Sequence, residues 1–205
     1  MKTALHKGSF IVVLGLALHQ PCAWADSSPQ QAELENTLAQ AIATYDPNLT
    51  TSASTDYENN LSIDQSVDLP SNNDYAIGAQ LQVNSSTGSI VQDGDDDVAG
   101  IFQVQGANNS ASITQTGNAN YASVMQVGYS NAATISQQND NNTLILNQQN
   151  GNNSANVTQL GNSNVTVNQT GNDVANLTFQ VTTSTPVTYT YTQSPGSSWS
   201  AHITN

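Results

Sequence analysis

Residues 115–159 read QTGNANYASVM, QVGYSNAATIS, QQNDNNTLILN, QQNGNNSANVT and then Q, so that glutamine opens each of these blocks of equal length. After that glutamine, each block carries a glycine or asparagine, a second asparagine, a small or apolar residue and then a branched apolar residue. The shared pattern is Q-x-G-x-x-N-x-A-x-[IV]-x-Q. Self-similarity at a fixed period is typical of proteins built from stacked repeats.

The pattern continues on both sides of this stretch, with a spacing that is the same or differs by a single position. Gln92 and Gln103 extend it upstream, and Gln169 and Gln180 extend it downstream. Weaker copies occur at residues 59–65 and 74–80. We therefore expect one repeat domain over residues 59–180.

Each unit predicts one short strand and one turn. Asn109, Ala111, Ile113 and Gln115 alternate along the chain, which places them on one face of a strand. The spacing then breaks near a glycine or asparagine, the residue types that tolerate the positive φ of tight turns. The turn glycines predicted in this way are Gly94, Gly106, Gly117, Gly128, Gly161 and Gly171.

A strand–turn–strand rung cannot bury its own face, but a similar rung stacked on it pairs the strand edges and aligns like side chains. Stacked amides can then hydrogen-bond to one another. The fold class predicted is all-β, a β-solenoid of about five or six rungs that polymerises end to end. Its predicted structural ladders are formed by Gln92, Gln103, Gln115, Gln126, Gln137, Gln148, Gln159, Gln169 and Gln180, and by Asn109, Asn120, Asn131, Asn142, Asn153 and Asn164.

Three segments flank the repeats. Residues 1–25 have a basic start, a short apolar run and a small-residue cleavage site, which predicts a secretion signal peptide. Residues 26–58 are expected to be flexible or partly helical, with apolar residues at helical spacing. Residues 181–205 hold one alternating strand candidate, at residues 187–193, and a tail without a clear pattern.

The charge balance excludes several functions. Lys2 and Lys7 are the only lysines or arginines, so removal of residues 1–25 takes the formal charge from −13 to −15. Nucleic-acid binding depends on Lys and Arg, and we expect neither a nucleic-acid partner nor membrane insertion. Without Cys or Lys in the mature chain, and with His202 as its one histidine, we expect no catalytic site, no cofactor and no metal site.

The acidic turn Asp93–Asp97 leaves two interpretations open. Oxygen ligands in a loop can bind calcium, although the spacing of known calcium loops is absent. Alternatively, stacked like charges repel one another, and the turn delays premature assembly.

The units between Gln92 and Gln180 resemble the curlin repeats of curli amyloid subunits. The resemblance implies export from a Gram-negative bacterium, polymerisation at the cell surface, and a role in biofilm matrix and adhesion. It implies as partners further copies of the chain, a homologous curlin subunit and an outer-membrane curli secretion channel that recognises part of residues 26–56. Regular consecutive units favour the main fibre subunit over the nucleator.

A soluble β-solenoid that binds ice or a glycan is the competing interpretation. Outward threonine rows such as Thr188, Thr190 and Thr192 suit such a surface. In the repeats, however, the regular positions point inward and the outward positions vary, which favours self-stacking.

Overall fold

The computed structural model describes residues 29–30, 32–34, 36–37, 40, 60–65, 74–181 and 185–204. The predicted signal peptide and most of the segment at residues 26–58 lie outside these residues. Within the described residues the chain forms thirteen strands: β1 (Asn60–Gln65), β2 (Tyr75–Asn84), β3 (Thr87–Asp95), β4 (Val98–Ala107), β5 (Ser110–Asn118), β6 (Tyr121–Val127), β7 (Ala132–Gln138), β8 (Thr143–Gln149), β9 (Ser154–Leu160), β10 (Ser163–Thr170), β11 (Val174–Gln180), β12 (Val187–Thr192) and β13 (Ser198–Thr204).

The strands alternate between two parallel sheets. The odd sheet contains β1, β3, β5, β7, β9, β11 and β13 in that order, and the even sheet contains β2, β4, β6, β8, β10 and β12. Each strand thus pairs with the strand two further along the chain, as Gln92 with Gln115 and Gln126 with Gln148. The result is a parallel β-solenoid of about six turns, which confirms the predicted fold class.

Alternating burial explains why these short segments form strands. In β5 as far as Gln115, and throughout β9, every second residue is buried and the residues between them are exposed or half-buried. The inward alanines, valines, leucines and isoleucines form one continuous core between the sheets. Small alanines beside branched residues keep this interior thin, so that it has no room for a conventional wide core.

The C-terminal end differs from the repeats in its chemistry. Strand β12 pairs with β10, and β13 pairs with β11, so strand pairing continues beyond Gln180 to residue 204. Phe179, Tyr189 and Tyr191 pack together, with ring centroids 5.0–6.5 Å apart, and Trp199 lies 6.1 Å from Tyr191. Tyr189 and Tyr191 thus take the positions that Val165 and Val167 hold one turn earlier.

The outer faces of the two sheets are also different. In the odd sheet the outward residues are mostly Ser, Thr and Asn and are exposed or half-buried. The outer face of β2, β4 and β6 instead carries buried apolar side chains, among them Ile77, Phe102 and Tyr121, and these pack with Leu34. Leu34 is fully buried and belongs to a segment with helical positions between residues 29 and 40.

None of the described residues belongs to a helix long and apolar enough to cross a membrane.

Candidate functional site

A column of buried glutamines runs the length of the even sheet. The Nε2 atom of each glutamine donates a hydrogen bond to the Oε1 atom of the glutamine one turn further on. The members and distances are Gln80 to Gln103 at 2.7 Å, Gln103 to Gln126 at 2.9 Å, Gln126 to Gln148 at 2.8 Å, Gln148 to Gln169 at 2.8 Å, and Gln169 to Gln193 at 2.8 Å.

The odd sheet carries a shorter column of the same kind. Gln92 donates to Gln115 at 2.9 Å, Gln115 to Gln137 at 2.8 Å, and Gln137 to Gln159 at 2.7 Å. All of these glutamines are fully buried. Each bond satisfies a polar group that would otherwise cost free energy in the interior.

The same Nε2 atoms also connect the two sheets. Gln115 donates to the carbonyl oxygen of Val98 at 3.1 Å, and Gln126 donates to that of Ser110 at 2.8 Å. In both cases the acceptor is the first residue of the preceding strand, on the opposite sheet. The bond recurs from Gln80 to Gln193, whichever sheet carries the glutamine.

Two asparagine columns support the turns. Asn131 donates to Oδ1 of Asn109 through its backbone N–H at 3.0 Å and through Nδ2 at 3.1 Å. Asn153 bonds to Asn131 through Nδ2 at 2.9 Å. On the other side Asn142 makes the corresponding pair of bonds to Asn120, at 3.1 and 2.9 Å. Each asparagine therefore fixes the backbone of the next turn as well as its side chain.

Asn164 and Gln180, which were expected in the ladders, lie outside them. Asn164 is half-buried and points outward, because the inward residues of β10 are Ser163, Val165 and Val167. Ser163 takes the asparagine position, and its hydroxyl contacts Oδ1 of Asn142 at 3.3 Å.

Gln180 is exposed, and Phe179 occupies the buried position next to Gln159. The glutamine column of the odd sheet therefore ends at Gln159. Conversely, Gln80 and Gln193 belong to the column of the even sheet. Gln80 lies one turn before Gln103, and Gln193 lies one turn after Gln169, so the spacing of the column locates both residues.

The turn glycines adopt the expected backbone conformation with one exception. Gly106, Gly117, Gly128, Gly161 and Gly171 have positive φ angles. Asn139 and Asn150, which replace turn glycines, have φ angles of 63° and 71°. Gly94 is not among the positive-φ residues. It lies within β3 against the backbone of Gly117, where a Cβ atom would collide.

The side chains of the acidic turn differ in their exposure to solvent. Asp93 and Asp96 are exposed, whereas Asp97 is fully buried at a position of the asparagine column. Its Oδ1 atom accepts hydrogen bonds from the backbone N–H and Nδ2 of Asn120, at 2.9 and 3.1 Å. Among the described residues, no group of three or more His, Cys, Asp or Glu side chains is arranged to hold a metal ion.

Both ends of the solenoid present strand edges with no partner strand among the described residues. These edges are β1 and β2 at the N-terminal end, and β12 and β13 at the C-terminal end. At the N-terminal end the buried Oε1 atom of Gln80 has no hydrogen-bond partner. His202, the one histidine of the expected mature chain, is exposed on β13. The ends therefore offer backbone hydrogen bonds to a further strand.

The outward threonines of β12 are exposed but do not form an array with the strand below. Thr188 and Thr192 pair with Asn164 and Asn168 of β10, and only Thr190 pairs with another threonine. The regular columns of this molecule are inside it.

The family model of the curlin associated repeat matches residues 84–117 and 117–149 of the chain. No curated protein and no solved structure matches the chain. The matched stretch contains the most regular columns of inward amides, whose hydrogen bonds hold successive strands together. Residues 84–149 of this chain therefore match the curlin associated repeat in two consecutive copies.

Proposed function

We propose that this protein is an exported bacterial subunit that assembles with its own copies into curli-like extracellular amyloid fibres, as the main fibre subunit rather than the nucleator. The curlin repeats support the assignment to a fibre-forming family. The observation that carries the proposal is that the glutamine column of the even sheet runs from Gln80 to Gln193, and that the described strands leave open edges at both ends of the solenoid. A further copy added there extends the strand pairing.

Addition of a copy is favourable because the interior of each end is incomplete. Strand edges at both ends have backbone N–H and C=O groups aligned for parallel pairing, and each such hydrogen bond contributes roughly 0.5–1.5 kcal/mol. The half-buried rings of Tyr189 and Tyr191 at the C-terminal end lose further contact with water when a strand covers them. The free energies from backbone hydrogen bonds and from burial of apolar surface add up along the whole strand.

The proposal includes secretion, a role in biofilm matrix and a location at the bacterial cell surface, and it is supported by the family resemblance and by the signal-peptide pattern of residues 1–25. The proposed partners are a homologous curlin subunit and an outer-membrane curli secretion channel. The proposed domain division is a signal peptide at 1–25, a flexible or partly helical segment at 26–58, the repeat solenoid at 59–180, and a C-terminal strand and tail at 181–205.

The proposal is tested with the purified mature chain. We expect thioflavin-positive fibres, a lag phase that sheared fibres of the same chain abolish, and growth in the absence of any other protein. A main subunit supports growth when it is the bulk component, whereas a nucleator acts at substoichiometric amounts on another subunit. A chain that remains monomeric for weeks at high concentration contradicts the proposal.

A further inference from the structure

The repeating unit of the solenoid is a single strand with its turn, not a pair of strands. The bond from each glutamine to the first carbonyl of the preceding strand is the same on both sheets: Gln137 donates to Tyr121 at 2.9 Å, and Gln148 to Ala132 at 2.8 Å. One operation therefore relates each strand to the next. It combines a half-turn about the solenoid axis with half of the inter-strand spacing, about 2.4 Å.

The described strands are odd in number, seven on the odd sheet and six on the even sheet. The C-terminal end is consequently stepped, because β13 extends the odd sheet beyond the last strand of the even sheet. If a second copy were stacked in the same orientation, β1 would follow β13. The even sheet would then have a vacancy one strand wide between β12 and β2 of the next copy.

A half-turn of the second copy removes this vacancy. Its β1 then covers β12, its β2 covers β13, and the series of strands continues without interruption. We propose, as a refinement that rests on the proposed function, that successive subunits in the fibre are related by a half-turn about the fibre axis. The partner at each end of the molecule is thus the opposite sheet of the next copy.

The internal pattern permits this change of sheet. Gln65 pairs with Gln92 in the odd sheet, and Gln193 follows Gln169 in the even sheet, so both stand at the glutamine position of their unit. In the rotated arrangement Gln193 shares its register position with Gln65 of the next copy. Gln193 has a hydrogen atom on Nε2 available there, since its one bond goes to Val174, whereas Gln169 donates twice.

The two arrangements predict different neighbours for Ser62, which is exposed on β1. Ser62 occupies the same position in its unit as Thr190 of β12 and Ser200 of β13. In the rotated fibre Ser62 of one copy lies beside Thr190 of the preceding copy, and in the unrotated fibre it lies beside Ser200. All three side chains are exposed, and the mature chain contains no cysteine.

The test compares two double variants of the mature chain, Ser62→Cys with Thr190→Cys and Ser62→Cys with Ser200→Cys. Each is assembled under reducing conditions and then oxidised. Within one molecule each pair lies at opposite ends, beyond the Cα separation of about 7 Å that a disulfide permits, so every bridge joins two copies. The single variant Ser62→Cys is the control and gives at most dimers.

We expect a ladder of covalent oligomers from the Thr190 pair, at least about tenfold more abundant than from the Ser200 pair. The reverse result overturns the rotation, as does a failure of both pairs to cross-link within fibres. In either case fibres still form and the proposed function stands, whereas an absence of fibres contradicts the proposed function itself. Electron microscopy gives a second measure, because the rotated stack has a rise of about 31 Å per subunit and the unrotated stack about 34 Å.

Discussion

Replacement of Asp97 by asparagine tests the ladder chemistry at its weakest position. Asp97 stands in a column where Asn142 donates to Asn120 through both its backbone N–H and Nδ2. Asp97 makes the backbone bond to Oδ1 of Asp74, at 2.9 Å, but its ionised side chain has no hydrogen to donate. Its buried Oδ2 atom has no hydrogen-bond partner.

Burial raises the pKa of Asp97 from 3.8 to about 7, and the Asp74 and Asp140 carboxylates add to this effect, while hydrogen bonds from Asn120 oppose it. The folded chain therefore holds this proton more tightly than the unfolded chain. Stability from Asp97 is fully present below pH 3.8 and is lost as the pH rises from there through about 7. The interval between the two pKa values corresponds to about 4 kcal/mol.

The side-chain amide of an asparagine at position 97 has hydrogens to donate at every pH. We expect Asp97→Asn to raise the free energy of unfolding by up to about 4 kcal/mol at pH 8 and by less than about 1 kcal/mol at pH 4. The measurement is urea denaturation of freshly prepared, dilute monomer at both pH values. Asp93→Asn is the matched control, because it removes the same charge from an exposed position of the same turn.

A gain of equal size at pH 4 and pH 8 would refute the proton argument. So would an equal gain from Asp93→Asn, since the effect would then come from net charge rather than from the buried position. A loss of stability at pH 8 would refute the equivalence of Asp97 with the asparagines of its column.

The other predictions concern assembly and the outer face. Gln126→Ala with Gln148→Ala leaves buried partners without hydrogen bonds, at roughly 1–3 kcal/mol each, and should lengthen the thioflavin lag several-fold. The exposed pair Gln138→Ala with Gln149→Ala should leave it unchanged, and equal lags for the two double variants would count against the ladder. Leu34→Ser should lower the free energy of unfolding by roughly 2–3 kcal/mol in urea denaturation, because Leu34 is fully buried against the outer face of the even sheet. A neutral result would mean that this contact does not stabilise the solenoid. Higher salt should speed fibre growth by screening the charge of −15 expected for the mature chain. Slower growth in salt, measured by thioflavin fluorescence, would contradict that account.

The spacing of the glutamines was enough to predict the solenoid, because a buried amide column needs an amide at each equivalent position. The prediction was wrong where spacing and strand alternation disagree. In β11 the inward residues are Ala175, Leu177 and Phe179, so alternation places Gln180 outside although it follows Gln169 by one full repeat. In β10 the valines Val165 and Val167 decide the face in the same way.

Other features depend on tertiary contacts that no repeat encodes. Strand β13 has neither the glutamine nor the glycine of a unit, and its pairing with β11 is set by the strand already in place. Leu34 packs against an outer face, and its partner there is not specified by the sequence around it. The sequence of β4 does indicate a covered outer face, because residues 98–104 read VAGIFQV without polar alternation. All seven residues are buried, so both faces of this strand are covered.

The central claim is that stacked strands continue from one molecule into the next. X-ray diffraction from aligned fibres of the purified mature chain tests it most directly. The account predicts a sharp meridional reflection at about 4.8 Å, with strands perpendicular to the fibre axis. Deposits that lack this reflection, or that place it on the equator, would contradict the claim.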